Sequence, residues 1–95
     1  MTALTRADLP PLEGEIITKR ITILDREVVL EWGYDTQMED PYLRVFTAAG
    51  EFLDELYMED PADLEAEDLA HRLEWAARDG MMDCLATYLG MEVDE

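Results

Sequence analysis

Residues 15–32, EIITKRITILDREVVLEW, decide the fold. Ile and Thr dominate the first half, Glu15–Leu24, and both favour a pleated strand over a helix. Alternate side chains of a strand point to opposite faces. Ile17, Lys19, Ile21 and Ile23 therefore share one face, and Ile16, Thr18, Arg20, Thr22 and Leu24 the other. Asp25-Arg26 reads as a tight turn into a second strand, Glu27–Trp32, in which Val28, Leu30 and Trp32 share a face. Two strands joined this closely make a β-hairpin.

The same patterning continues downstream. Gly33–Pro41 (GYDTQMEDP) holds Gly, Asp and a terminal Asp-Pro, which marks a loop. Tyr42–Thr47 is a third strand, Ala48-Ala49-Gly50 a hairpin turn, and Glu51–Met58 a fourth strand. Alternation in that last strand is imperfect, since Phe52, Leu56 and Met58 share a face with Asp54, and Leu53 and Tyr57 share one with Glu55. A bulge or a two-sided strand are both compatible with it. Asp60-Pro61 has the form of an N-cap followed by a first helical residue, and Asp63 falls in the first turn, where the helix dipole favours carboxylates. This predicts a helix to Asp79 with Gly80 as its left-handed stop, buried through Leu69, Leu73, Ala76 and Ala77. A last helix over Met81–Leu89 buries Met82, Leu85, Ala86 and Leu89 and closes at Gly90.

The expected fold class is thus α+β: a four-stranded antiparallel sheet of two hairpins, followed by a helical hairpin packed on one face. One domain spans 1–95, with an irregular lead-in over 1–14, the sheet over 15–58, two helices over 60–90 and an acidic tail over 91–95. In the lead-in, Thr5 and Asp8 have the spacing of a capping pair for one short turn, and Pro10-Pro11 stops it.

Charge is the strongest functional signal. Asp plus Glu number 24 against 7 Lys plus Arg, a formal net charge of −17 in 95 residues. Small folded domains carry a net charge of about 2–8 in magnitude, and a larger excess opposes the compact state through self-repulsion. With 48% apolar residues the chain still has the means to bury a core, so the acid decorates a fold instead of preventing one. No basic stripe is present to bind nucleic acid. No apolar run reaches the roughly 18 residues of a spanning helix, and an acidic surface is repelled by anionic lipid. The single cysteine, Cys84, allows no internal disulfide and favours a reducing, cytoplasmic setting. Met1–Leu12 lacks the basic and apolar regions of a secretory leader.

Two groups of residues are candidate partner contacts. Trp32 and Tyr34 flank an acidic loop with Asp35, Glu39 and Asp40, the mixture of aromatic anchor and steering charge found at binding hot spots. From Glu51 to Asp68 there is no basic residue, and Asp54, Glu55, Glu59, Asp60, Asp63, Glu67 and Asp68 make the densest acidic block. Carboxylates one helical turn apart sit about 6 Å apart axially, against about 3.4 Å between phosphates along a DNA strand, so such a surface approaches the charge density of nucleic acid. Lys19, Arg20, Arg26 and Arg44 fall in strands, which predicts a molecule more acidic on its helical side, and Arg72 and Arg78 have acidic neighbours one turn away, such as Asp68 and Glu74.

Catalytic and metal chemistry find little support. His71 and Cys84 lack the oriented base and oxyanion donors of a nucleophilic site, and one Cys with one His is too few ligands for zinc. Cys84, beside Leu85, is expected to be a small buried residue. Asp35, Glu39 and Asp40 do not complete a calcium loop. The expectation is a protein without catalytic residues, cofactor or metal.

By length, net charge and the acidic run Glu51–Asp68, the chain resembles small acidic phage-encoded inhibitors of host defence, including anti-CRISPR proteins that mimic DNA. The resemblance is one of type, without a shared motif, and carries over no functional residue. It implies a basic partner such as a CRISPR effector complex or another nuclease, blocked by occupancy, in the host bacterial cytoplasm. The alternative is an immunity protein or antitoxin that neutralises a basic nuclease toxin. A carboxylate-based enzyme and an adaptor with incidental acidity rank below both, and the oligomeric state, monomer or dimer, is left open.

Overall fold

The computed structural model describes residue 5 and residues 8–60 and 64–91. Four strands, β1 (Leu12–Ile23), β2 (Arg26–Asp35), β3 (Asp40–Thr47) and β4 (Phe52–Tyr57), are followed by α1 (Ala66–Arg78) and α2 (Asp83–Leu89). The sheet is antiparallel throughout, in the order β1-β2-β3-β4. Both helices pack on one face, α1 over β1 and α2 over β4. The α+β architecture expected from the hairpin pattern is the one the chain adopts.

Alternation explains the core. Ile21 and Ile23 of β1, Val28 and Leu30 of β2, Leu43 and Val45 of β3 and Met58 after β4 are buried in one cluster with Leu69, Leu73, Ala76, Ala77, Met82, Leu85, Ala86 and Leu89 of the helical segment. Burying a large aliphatic side chain stabilises by about 1.5–3 kcal/mol, and here the strand and helix stripes supply each other's cover. Gly80 (φ 81) ends α1 in the left-handed conformation. Its N–H bonds Ala77 and that of Met81 bonds Ala76, which satisfies carbonyls the helix leaves open. Gly90 closes α2 in the same way.

Several boundaries differ from the sequence reading, each for a local reason. The first turn is Leu24-Asp25, not Asp25-Arg26: Ile23 pairs with Arg26, and Leu24 (φ 49) and Asp25 (φ 66) both take positive φ, as a two-residue hairpin turn demands. The loop expected over Gly33–Pro41 shrinks to the turn between Asp35 and Asp40, because β2 and β3 stay paired up to those two residues. Asp35 holds that turn, its Oδ1 accepting the N–H groups of Gln37 (2.9 Å) and Met38 (3.0 Å).

The lead-in is more structured than expected. β1 begins at Leu12, and between the pairs Glu13–Tyr34 and Ile17–Trp32 it carries a bulge containing Gly14 (φ 77). The bulge inserts two residues and so preserves the alternation, leaving Leu12 on the face away from the helices, against Gly33. Upstream, Pro10 reaches Arg44 on β3 and Thr5 bridges Glu51. Residues 8–11 thus form a strap on the second face of the sheet, with Thr5 bridged to the start of β4's hairpin arm at Glu51. The irregular alternation of β4 is a bulge at Leu53, which lets Phe52 meet Phe46 edge-on (5.8 Å) while Leu53 packs against the core.

The helix expected from Asp60 begins only at Ala66, with Glu65 as N-cap and no side-chain capping bond. Asp60, Leu64 and Glu65 are not helical, and Pro61 and Asp63 lie outside the described residues. The chain leaves β4 and must reach the far edge at β1, about 14 Å away at three strand spacings. A helix rising about 1.5 Å per residue would use about nine residues to cover that distance, more than separate Asp60 from Ala66, and the connection is non-helical at Leu64 and Glu65. Lys19 anchors its end, Nζ donating to the Leu64 carbonyl at 2.8 Å. The last helix likewise starts at Asp83, not Met81. Cys84 is exposed, correcting its expected burial, since the stripe Met82, Leu85, Ala86 and Leu89 turns it outward. Among the described residues, no helix is long and apolar enough to cross a membrane.

Candidate functional site

Antiparallel topology gathers one end of the sheet from four separate stretches: the start of β1, the end of β2, the start of β3 and the end of β4. Leu12 faces Asp35, Glu13 faces Tyr34, Asp35 faces Asp40, and Tyr42 faces Tyr57. Glu13, Glu15, Glu39, Asp40, Glu59 and Asp60 are all exposed at this end. Of the residues proposed from sequence, it brings together Trp32, Tyr34, Glu39, Asp40, Glu59 and Asp60, which the chain separates by up to 28 positions.

Aromatic side chains stand on both faces of this end. Trp32 lies on the helix face, its Nε1–H donating to the Met58 carbonyl at 2.7 Å. This bond fixes the indole plane and ties β2 to the chain leaving β4. Trp32, Ile17 and Met58 floor an open groove of about 840 Å³, rimmed by Glu15, Glu59, Asp60 and Arg72. Tyr34 is 42% exposed next to it. On the opposite face Tyr42 and Tyr57 meet edge-on, with centroids 6.0 Å apart.

The remaining proposed residues have other positions. Asp35 is buried beneath the strap, where its Oδ2 accepts from Arg44 Nη2 at 3.1 Å, and the same Nη2 donates to Pro10 O at 2.6 Å. Burial pushes the Asp35 carboxyl up, but the N–H of Met38, the bond from Arg44, the N–H of Gln37 and the Arg44 charge together hold it below the usual range. Its carboxylate serves the fold and offers nothing to a partner. Glu55 lies beside Arg44 on the same face; burial raises its pKa first and the Asp35 charge adds to this, against the pull of Arg44. Arg44 Nε makes no hydrogen bond among the described residues.

Asp54 turns inward. Its Oδ2 accepts the N–H of Leu85 at 2.8 Å and so caps α2 from another element, a service its own N-cap residue Met82 does not provide. Burial raises the Asp54 pKa, with the Asp83 charge in support and the N–H groups of Leu85 and Cys84 opposing. Glu67 and Asp68 are exposed in the first turn of α1, Glu67 beside His71 and Glu74 over the end of β1. Glu67 faces away from the acidic end, whereas Asp68 lies one turn from Arg72, on the flank of α1 that borders it. Asp63 lies outside the described residues.

The cations are largely engaged within the molecule. Lys19 holds Leu64, Arg20 pairs with Glu27 at 2.6 Å, Arg44 with Asp35, and Arg78 with Glu74 at 3.4 Å, while Arg26 lies 5.8 Å from the centre of the Tyr88 ring. Arg72 does not simply pair along its helix with Asp68, as its spacing suggested, but lines the groove at the acidic end. Exposed carboxylates occupy the sheet as well as the helices, Glu13, Glu15, Glu27, Glu51 and Glu55 among them. Among the described residues the exposed carboxylates are thus spread over both sheet and helices, six of them, Glu13, Glu15, Glu39, Asp40, Glu59 and Asp60, at one end of the sheet.

Sequence reasoning missed Glu13, Glu15, Tyr57 and Arg72. The two glutamates flank Gly14 in what reads as an irregular lead-in, and Tyr57 appears as an ordinary strand residue. The available signal was register: once β1 and β2 form a hairpin, whatever precedes Ile17 must lie opposite whatever follows Trp32. Among the described residues, no group of three or more His, Cys, Asp or Glu is arranged to hold a metal ion. No family model, curated protein or solved structure matches the chain.

Proposed function

We propose that this chain is a non-enzymatic inhibitor that occupies the positively charged, nucleic-acid-binding surface of a partner protein by charge mimicry, as an anti-CRISPR protein blocking a CRISPR effector complex would. The observation that carries the reading is the net charge of −17 on a folded chain in which most of the described Lys and Arg side chains already have partners within the molecule, so that carboxylates dominate what it offers to others. Self-repulsion of this size works against folding, so it is retained for what it does to a partner. Long-range attraction raises the encounter rate with a basic groove, and the aromatic residues among the acids slow departure. The partner's natural ligand, a polyanion, is then excluded by occupancy.

The test is a competition measurement. Titrated into purified CRISPR effector–guide complexes and into a panel of basic nucleases, the protein displaces target nucleic acid from its partner at near-stoichiometric ratio. Added salt weakens that displacement steeply. A tight complex whose affinity ignores ionic strength would rule out charge mimicry.

A further inference from the structure

We infer that the groove between β1 and the chain leaving β4 is the seat for one cationic side chain, an arginine or lysine on the partner's basic surface. This rests on the charge-complementarity reading above and gives it an address. Three properties of the groove point to that occupant. Its floor is apolar and aromatic, built from Ile17, Trp32 and Met58, which suits the methylene stem of a long basic side chain. Its rim holds the carboxylates of Glu15, Glu59 and Asp60 against the single guanidinium of Arg72, a formal excess of negative charge. The Trp32 indole is already fixed by its 2.7 Å bond to the Met58 carbonyl, so presenting its surface to a cation costs little further ordering.

Arg72 gives the inference its sharpest consequence. It projects from α1 into the same groove and places there a cation of the kind proposed for the partner. An incoming guanidinium must share the rim with it or displace it. Removing the Arg72 charge therefore strengthens binding, whereas an Arg72 that served the interface as a contact would weaken it on removal.

A capped oligo-arginine peptide serves as the probe, with binding followed by calorimetry and by the emission of Trp32 in a Trp75→Phe background. Trp75 is 62% exposed, so this replacement leaves the core untouched. At low salt the peptide binds and shifts the Trp32 emission. The double variant Glu15→Gln, Glu59→Gln weakens binding about tenfold, and an equal charge change on the other flank of α1, Glu67→Gln with Glu74→Gln, weakens it less. Arg72→Gln tightens binding about threefold. Unfolding midpoints of the variants confirm that each remains folded. Calorimetric binding with unmoved Trp32 emission, or equal losses from the two double variants, overturns the groove as the seat and leaves the charge-complementarity reading standing. A peptide that does not bind at low salt overturns both.

Discussion

Arg44 on β3 and Asp35 at the end of β2 form a buried ion pair, Nη2 to Oδ2 at 3.1 Å, and the same guanidinium nitrogen holds the strap through the Pro10 carbonyl. Both side chains are less than 5% exposed. The pair therefore joins the β2–β3 turn, the sheet and the N-terminal segment. Removing one partner from such a pair leaves an uncompensated buried charge, which costs about 3–5 kcal/mol. Arg44→Met is expected to lower stability by that amount in urea unfolding, and adding Asp35→Asn should recover part of the loss because no bare charge is left behind.

The pH dependence of that pair has a defined sign. Asp35 titrates below its ordinary value of 3.8 in the folded protein, so its contribution is present above 3.8 and is lost as pH falls through the lower folded value. Asp54 and Glu55 act in the opposite sense. Their folded pKa values lie above 3.8 and 4.5, so their contribution is complete below those values and is lost as pH rises through the higher folded ones. Stability is thus expected to peak in mildly acidic solution and to decline toward neutrality and toward strong acid. Denaturant midpoints measured across that range check it, and a midpoint that rises steadily from mild acid to neutral pH would contradict the assignment.

Asp54 also separates charge from hydrogen bonding. Its Oδ2 caps α2 through the Leu85 N–H, an acceptor role that an amide oxygen can fill. Asp54→Asn should keep the cap and remove the raised-pKa charge, so the variant is expected to be at least as stable as the parent at neutral pH. Asp54→Ala loses the acceptor and should cost about 1 kcal/mol. Thermal unfolding of the two variants side by side distinguishes these roles.

How far the sequence reveals such relationships depends on their range. The β1–β2 hairpin and the helical stripe Leu69, Leu73, Ala76 and Ala77 were legible, because local periodicity sets which side chains share a face. The cap from Asp54 to Leu85 spans 31 residues and leaves no periodic trace. Asp60-Pro61 has the chemistry of a helix start, yet Leu64 and Glu65 are not helical and α1 begins at Ala66. Asp35 looked like surface acid in a loop; only its register opposite Leu12 and the strap above it make it a buried turn residue. At the candidate site, Trp32 and Tyr34 were legible from composition, whereas Glu13, Glu15 and Arg72 reach it only through the fold.

The Leu24-Asp25 turn carries a correctable cost. Leu24 takes φ 49, a left-handed conformation unfavourable for a residue with a Cβ by about 1–2 kcal/mol, and Asp25 at φ 66 is only somewhat better suited. Asn-Gly is the preferred pair for this turn. Leu24 is 47% exposed, so replacing it sacrifices little burial. The double change Leu24→Asn, Asp25→Gly is expected to raise stability by about 1 kcal/mol, read as a higher unfolding temperature.

Salt should move folding and binding in opposite directions. The molecule measures 36 × 35 × 24 Å, several times the screening length of about 10 Å at 0.1 M ionic strength. Sodium chloride therefore removes most of the long-range repulsion among its carboxylates. It also weakens surface pairs such as Arg20–Glu27, but an exposed pair contributes only about 0–1 kcal/mol. With a net charge of −17 the relieved repulsion is the larger effect, so the unfolding temperature is expected to rise with sodium chloride from low ionic strength. Over the same range, affinity for a cationic peptide or a basic partner should fall. Both are measured on one sample series, by calorimetry of unfolding and of binding. An unfolding temperature that drops with salt would mean that attractive pairs dominate the surface, and the acid could then no longer be regarded as a cost carried for the sake of a partner.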